Sequence, residues 1–151
     1  MKRVRAAAKA LIIQDSQILL LKCQRDGQIY YNLPGGGQEH GERIDEALVR
    51  ECWEEAGAEV RVKQLVFVRD YISKNHGASD PTIHQLELFF TCELIRPKHP
   101  TGGSEPDDDQ IGVEWVSLDR LNEIALYPQE LLKHLPLKSD VAYNIYWGDV
   151  L

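Results

Sequence analysis

One stretch constrains this chain more than any other: Gly36 to Ala58, GGQEHGERIDEALVRECWEEAGA. It reads as a glycine-rich entry, one helix and a glycine stop, with Glu51, Glu54 and Glu55 near the helix's end. Residues three and four apart share a helix face, so Glu51 sits between Glu54 and Glu55 and three carboxylates crowd one patch. Like charges at this spacing repel, and acids at a helix C-terminus oppose its dipole by about 0.3–1 kcal/mol each. A helix built for stability alone would carry Lys or Arg there. A local rule broken without visible compensation marks a functional site. The natural compensation is a hard divalent cation, because Mg²⁺ takes oxygen ligands from a few carboxylates and from substrate phosphates.

The flanks agree. Leu33-Pro34-Gly35-Gly36-Gly37 enters through backbone that can approach a ligand closely. Gly57 suits the left-handed position that ends a helix. Ile44, Ala47, Leu48, Cys52 and Ala56 form an apolar stripe, expected to pack the helix down and leave the acids outward. Asp45 and Glu46 lie in the first turn, where negative charge is favoured. Glu46 and Arg50 are spaced as an i,i+4 pair, and Arg50 also reaches towards Glu54.

The stretch resembles the signature of the Nudix (MutT-like) hydrolases, G-x5-E-x7-R-E-U-x-E-E-x-G-U with U apolar. The pattern falls on Gly36, Glu42, Arg50, Glu51, Cys52, Glu54, Glu55, Gly57 and Ala58. All seven positions that demand one residue type match, a coincidence on the order of 10⁻⁸ at one site from average residue usage. Leu33-Pro34-Gly35-Gly36 also resembles the family's lead-in. Cys52 and Ala58 are smaller than the usual aliphatics, and Tyr31 stands where many members carry Trp.

Length and composition bound the rest. At 151 residues, 43% apolar and 27% charged, the chain is expected to form one globular domain over 1–151. No apolar run is long enough to span a membrane, and no long apolar segment follows the basic start Met1 to Arg5. Cys23, Cys52 and Cys92 lack motif spacing and read as incidental thiols in a reducing cytosol, so a cytoplasmic location is expected. A net charge of −7 argues against a general nucleic-acid binder, but a metal can bridge an acidic protein to a polyphosphate.

Taken in order, Val4 to Gln14 reads as a largely buried strand, Asp15-Ser16 as a turn and Ile18 to Leu21 as its hairpin partner. Lys22 to Gln28 is polar, with a turn signal at Asp26-Gly27, and Arg25 there can face a phosphate. Tyr30 to Leu33 is a short strand, with Tyr31 placed either to stack on a base or to pack. Glu59 to Ile72 is a strand with a slip near Gln64 that predicts a bulge. Ser73 to Pro81 is a loop with His76 exposed, beside a substrate pocket or a dimer contact. Thr82 to Leu94 is a strand whose His84, Leu86, Leu88, Phe90 and Cys92 face reads as the core side, leaving Glu87 on the other, either lining a site or as a solvated strand charge. Ile95 to Gln110 reads as a mobile acidic loop, Gly112 to Val116 as a strand and Ser117 to Leu121 as a turn into a short helix. Tyr127-Pro128 opens a last helix striped by Leu131, Leu132 and Leu135. In the tail, Val141, Tyr143, Ile145 and Trp147 alternate as a final strand or an oligomer contact.

The resemblance implies an α/β class fold, a Nudix α/β/α sandwich with a central mixed sheet, a loop–helix–loop carrying the signature, and a C-terminal helix. It implies a pyrophosphohydrolase dependent on Mg²⁺ or Mn²⁺ that cleaves a nucleoside diphosphate linked to another moiety. Glu51, Glu54, Glu55 and the Gly36 carbonyl are the expected metal ligands. Glu54, Glu55, Arg50 and a distal acid, Glu105 with Asp107 to Asp109 behind it, are the expected catalytic set; Glu114 is a second distal candidate. Gly36, Gly37, Arg25 and Tyr31 are the expected phosphate and substrate contacts. A proline about fifteen residues past the signature often marks ADP-ribose hydrolases; here Pro81 lies 24 positions after Gly57. Tyr71 only loosely matches the dinucleoside-polyphosphate marker. The alternatives are a non-catalytic nucleotide-binding regulatory module on the same fold, usually marked by lost glutamates, and a plain structural domain. A homodimer is compatible with the sequence.

Overall fold

The first strand sets the layers. In the computed structural model, which describes residues 2–137 and 144–151, β1 (Arg5–Gln14) turns Ala8, Ala10 and Ile12 to one core and Leu11 to another. This period-2 alternation buries both faces of the strand. The Asp15–Ser16 turn, with φ of 51° and 60°, leads to β2 (Gln17–Arg25), and Asp26-Gly27 leads to β3 (Gln28–Asn32). β2 thus runs on through Lys22 to Arg25, a stretch whose polarity read as loop. There follow β4 (Gly35–Gly37), helix α1 (Ile44–Ala56), β5 (Glu59–Ile72), β6 (His84–Arg96), β7 (Gln110–Ser117), β8 (Leu126–Tyr127) and β9 (Tyr146–Asp149).

The mixed sheet runs β8-β3-β2-β1-β6-β5-β9, with β4 on β1 and β7 on β2. β1–β6, β3–β8 and β5–β9 are parallel pairs. Only Ile13–Ile18 and Gln14–Gln17 join β1 to β2, so two lobes diverge from that hairpin. α1 covers one face through Ala47, Leu48, Cys52 and Ala56, packed on Ala8, Ala10 and Leu94. The other face is covered by 3-10 turns at Leu118–Glu123 and Gln129–Lys133 and by Trp147. The α/β Nudix-type layering is as expected. The expected C-terminal helix is one short 3-10 turn, because Pro128 and Pro136 leave too few residues between them to propagate an α-helix.

The predicted bulge is present, with register shifts around Leu65 between β5 and β6. The β6 reading is corrected: Glu87 (3% exposed) and Phe89 (0%) lie deeper than Leu86 and Leu88, because Trp147 and the last turns cover that face. His76 is corrected too: it is not a solvated loop residue but bonds Asp149 at 2.7 Å and stacks on Tyr71. In the tail, Trp147 belongs to the final strand β9, while Val141 and Tyr143 lie outside the described residues. Cys23, Cys52 and Cys92 are free and buried. Among the described residues no helix is long and apolar enough to cross a membrane.

Candidate active site

The site grows from the end of α1. Glu46 accepts the Arg43 backbone N–H at 2.9 Å and fixes the helix start, so the expected Glu46–Arg50 pair does not form. Arg50 turns instead to the loop. It holds Glu42 through two N–H groups at 2.7 and 3.1 Å, the Gly37 carbonyl at 3.0 Å, Glu51 at 3.0 Å and Glu54 at 3.1 Å. One guanidinium therefore binds the entry loop to two of the three carboxylates. The Arg50 hydrogen bonds hold the Glu42 carboxyl below its usual range, while burial pushes Glu51 up despite Arg50 beside it.

The absence of a side chain at Gly36 leaves room for the Glu51 carboxylate where Arg50 holds it. A Cβ there would lie 2.6 Å from the Glu51 carboxyl carbon. At the other end Gly57 takes φ 65° and ends the helix.

Glu55 departs from the outward orientation expected of it. It is 1% exposed and accepts the Gly35 N–H at 2.8 Å. Burial, then a hydrogen bond with Asp107, pushes its carboxyl up to about 9, with Lys9 and the Gly35 N–H acting the other way. Glu55 falls seven residues after Leu48 and three after Cys52, on the apolar stripe itself; that spacing was the available signal.

The acidic loop is tied down where mobility was expected. Gly102, Gly103 and Glu105 donate backbone N–H groups to the carbonyls of Ala56, Glu55 and Glu54 at 3.2, 3.1 and 2.8 Å. Gln110 Nε2 adds a 2.7 Å bond to the Glu55 carbonyl. These donors satisfy carbonyls that every helix end leaves open, which offsets the acids at the C-terminus. Glu105 is held by its backbone, with its side chain exposed. Asp107 is the loop acid whose charge acts on both Glu51 and Glu55.

A cleft of ≈ 670 Å³ opens on the sheet, and none of Glu51, Glu54 and Glu55 lines it. Its lining includes Lys9, Arg25, Tyr30, Arg69, Glu87 and Tyr127. Lys9 joins cleft to glutamates: it lines the former, and its charge favours ionisation of Glu55. Arg25 stands at the rim, 2.6 Å from Asp109, which also accepts the Tyr30 hydroxyl at 2.7 Å. Tyr30 is the cleft residue. Tyr31 points to the opposite side of the strand, is 8% exposed and donates to Glu114 at 3.1 Å. Glu114 also pairs with Lys22. Lys9, Tyr30, Arg69 and Tyr127 were missed in the sequence; a lone Lys within RAAAKALII was the signal for the first. Among the described residues no group of three or more acids, histidines or cysteines is preassembled with metal-ligand geometry; Arg50 is bonded to two of the glutamates.

The NUDIX domain family model matches residues 3–136. The chain belongs to the Nudix family. It is 32% identical over 128 residues to an ADP-ribose pyrophosphatase of Methanocaldococcus jannaschii, covering 84% of this chain and 70% of that one. It is 30% identical over 131 residues to a nucleoside triphosphatase NudI of Enterobacter, covering 82% and 89%. A crystal structure of an ADP-ribose pyrophosphatase from Streptococcus suis shares the fold at 24% identity and a TM-score of 0.66, covering 97% and 100%. As a Nudix hydrolase, the chain is an enzyme of pyrophosphate bonds.

Proposed function

We propose that this Nudix hydrolase is a divalent-metal-dependent pyrophosphohydrolase that cleaves a nucleoside diphosphate linked to another moiety by attack of water on phosphorus. The observation that carries this reading is the carboxylate cluster at the end of α1, where Arg50 holds Glu51 and Glu54 against the entry loop and the Gly35 N–H holds Glu55.

The donor set suits a hard cation: it is all oxygen, and Gly36 lets backbone close on Glu51. Glu51, Glu54, Glu55 and the Gly36 carbonyl would hold Mg²⁺ or Mn²⁺, which supplies charge neutralisation on phosphate oxygens and a more acidic water. Arg50 aims Glu51 and Glu54, and Glu42 holds Arg50. Gly36 and Gly37 admit a phosphate to the backbone, while Lys9 and Arg25 balance its charge. The proton of the attacking water passes to a signature glutamate or to a distal acid, for which Glu105 and Asp107 are the candidates.

The names of two relatives support ADP-ribose-like compounds and nucleoside triphosphates as substrates, and nucleotide sugars complete the set of linked nucleoside diphosphates to be tested. The buried free thiols support a reducing, cytoplasmic setting. The exposed Ile145 and Tyr146 at the β9 edge support a homodimer contact there. A product-chromatography screen over ADP-ribose, nucleotide sugars, dinucleoside polyphosphates and (d)NTPs, with Mg²⁺ and with Mn²⁺, tests the reading. Metal-dependent release of a nucleoside monophosphate or diphosphate is expected. Nucleotide binding without turnover of any of them would leave the regulatory-module alternative in its place.

A further inference from the structure

The acidic loop that leads into β7 is anchored at Asp109. Its Oδ2 accepts the Tyr30 hydroxyl at 2.7 Å and lies 2.6 Å from Arg25 Nη2, while its carbonyl accepts the Gln24 N–H at 2.8 Å. Hydrogen bonds to an ionised carboxylate are about twice as strong as neutral ones. The Tyr30 ring is itself set against Tyr127, edge to face at 6.1 Å. Tyr30 lines the cleft, and Asp109 stands behind it.

The anchor is passed on within two residues. Residues 107–110 form a turn closed by the Gln110 N–H on the Asp107 carbonyl at 3.0 Å. The Gln110 side chain braces the same turn from both ends: Oε1 accepts the Asp107 N–H at 3.2 Å, and Nε2 donates to the Glu55 carbonyl at 2.7 Å. Asp107 is exposed, so packing does not place it; the bonds of this turn do. Its carboxyl hydrogen-bonds that of Glu55. A chain of contacts therefore runs from Tyr30 through Asp109 and the turn to Asp107 and the end of α1. Tyr30 and Asp109 are 79 residues apart in sequence, so the bond also ties β3 to the loop.

We propose that Tyr30 and Asp109 are positioning residues of the hydrolase: their hydrogen bond holds Asp107 against Glu55 and so links the cleft that Tyr30 lines to a carboxylate cluster that lies outside it. The inference rests on the hydrolase reading above, with Asp107 as the distal acid, and assigns the part that β3 plays in it. The Tyr30 hydroxyl is bonded to Asp109 and not to a signature glutamate, so it acts through the loop. Without that hydroxyl the 107–110 turn drifts, and a misplacement of about 1 Å at a reacting group can cost on the order of 10²-fold in rate.

The test measures kcat and KM in Mg²⁺ for whichever of ADP-ribose, UDP-glucose, diadenosine tetraphosphate and ATP wild type turns over, together with amide hydrogen exchange of the loop. The variants are Tyr30→Phe, Asp109→Ala, Asp109→Asn, Asp107→Asn and the double variant Tyr30→Phe with Asp107→Asn. Tyr30→Phe and Asp109→Ala are expected to lower kcat about tenfold and leave KM within about threefold. They should also raise exchange about tenfold at Gly102, Gly103 and Glu105, whose N–H groups bond the end of α1. Asp109→Asn keeps an acceptor for the Tyr30 hydroxyl and should recover much of the loss. Asp107→Asn already lacks the group being held, so adding Tyr30→Phe should lower kcat by no more than about twofold further. A tyrosine that only packed, or only touched substrate, would multiply its effect with that of Asp107→Asn. Unchanged kcat in Tyr30→Phe, a change confined to KM, full multiplication in the double variant or unchanged loop exchange overturns the proposal. Turnover of none of the four compounds by wild type overturns the hydrolase reading, while loop exchange in Tyr30→Phe still judges the anchor.

Discussion

The Gly35 backbone N–H donates a 2.8 Å hydrogen bond to Glu55 Oε1, joining strand β4 to the end of α1 through a carboxyl that is 1% exposed. Chiefly through burial, the folded protein raises that carboxyl from 4.5 to about 9. A raised folded-state value contributes stability that is complete below the unfolded value and lost as pH rises through the folded one. Metal-free wild type is therefore expected to melt roughly 5–10 °C lower at pH 9 than at pH 5, and Glu55→Gln to lose most of that slope. Thermal scans across this range check it; equal slopes in the two proteins would contradict it.

Arg50 contacts Glu42, Glu51, Glu54 and the Gly37 carbonyl at once. Lysine has no planar fork and cannot reproduce this set. Arg50→Lys is expected to lower kcat by about 10²-fold through misplaced carboxylates and to cost about 1–3 kcal/mol of stability. Steady-state kinetics with denaturant melts would measure both.

Glu54 is part-exposed and bonded to Arg50. Glu54→Gln should leave stability within about 1 kcal/mol yet reduce kcat by at least about 10²-fold. In the neighbouring loop, Asp107→Asn is expected to reduce kcat more than Glu105→Gln, since the charge of Asp107 reaches Glu51 and Glu55 while the bond that Glu105 makes to α1 uses its backbone. The reverse ranking would make Glu105 the distal acid.

The helix, its glycine stop and the Arg50–Glu54 contact were legible because each is local in sequence. Glu55 was misjudged because charge was weighed over spacing: Leu48, Cys52 and Glu55 share the buried stripe. The acidic loop was read as mobile because its partners, the carbonyls of Glu54 to Ala56, lie about fifty residues earlier and carry no side-chain signature. Lys9, Arg69 and Glu87 come from three strands that only the fold brings to one cleft. Tyr30 and Tyr31 are adjacent in a strand, so their opposite fates depend on which face meets the cleft.

Calorimetric titration of Mn²⁺ into the protein with a non-hydrolysable nucleoside diphosphate analogue, for wild type and for Glu51→Gln with Glu54→Gln, tests the central claim most directly. The account predicts saturable uptake by wild type and at least about tenfold weaker uptake by the double variant. No uptake by wild type, or identical isotherms for the two proteins, would contradict it.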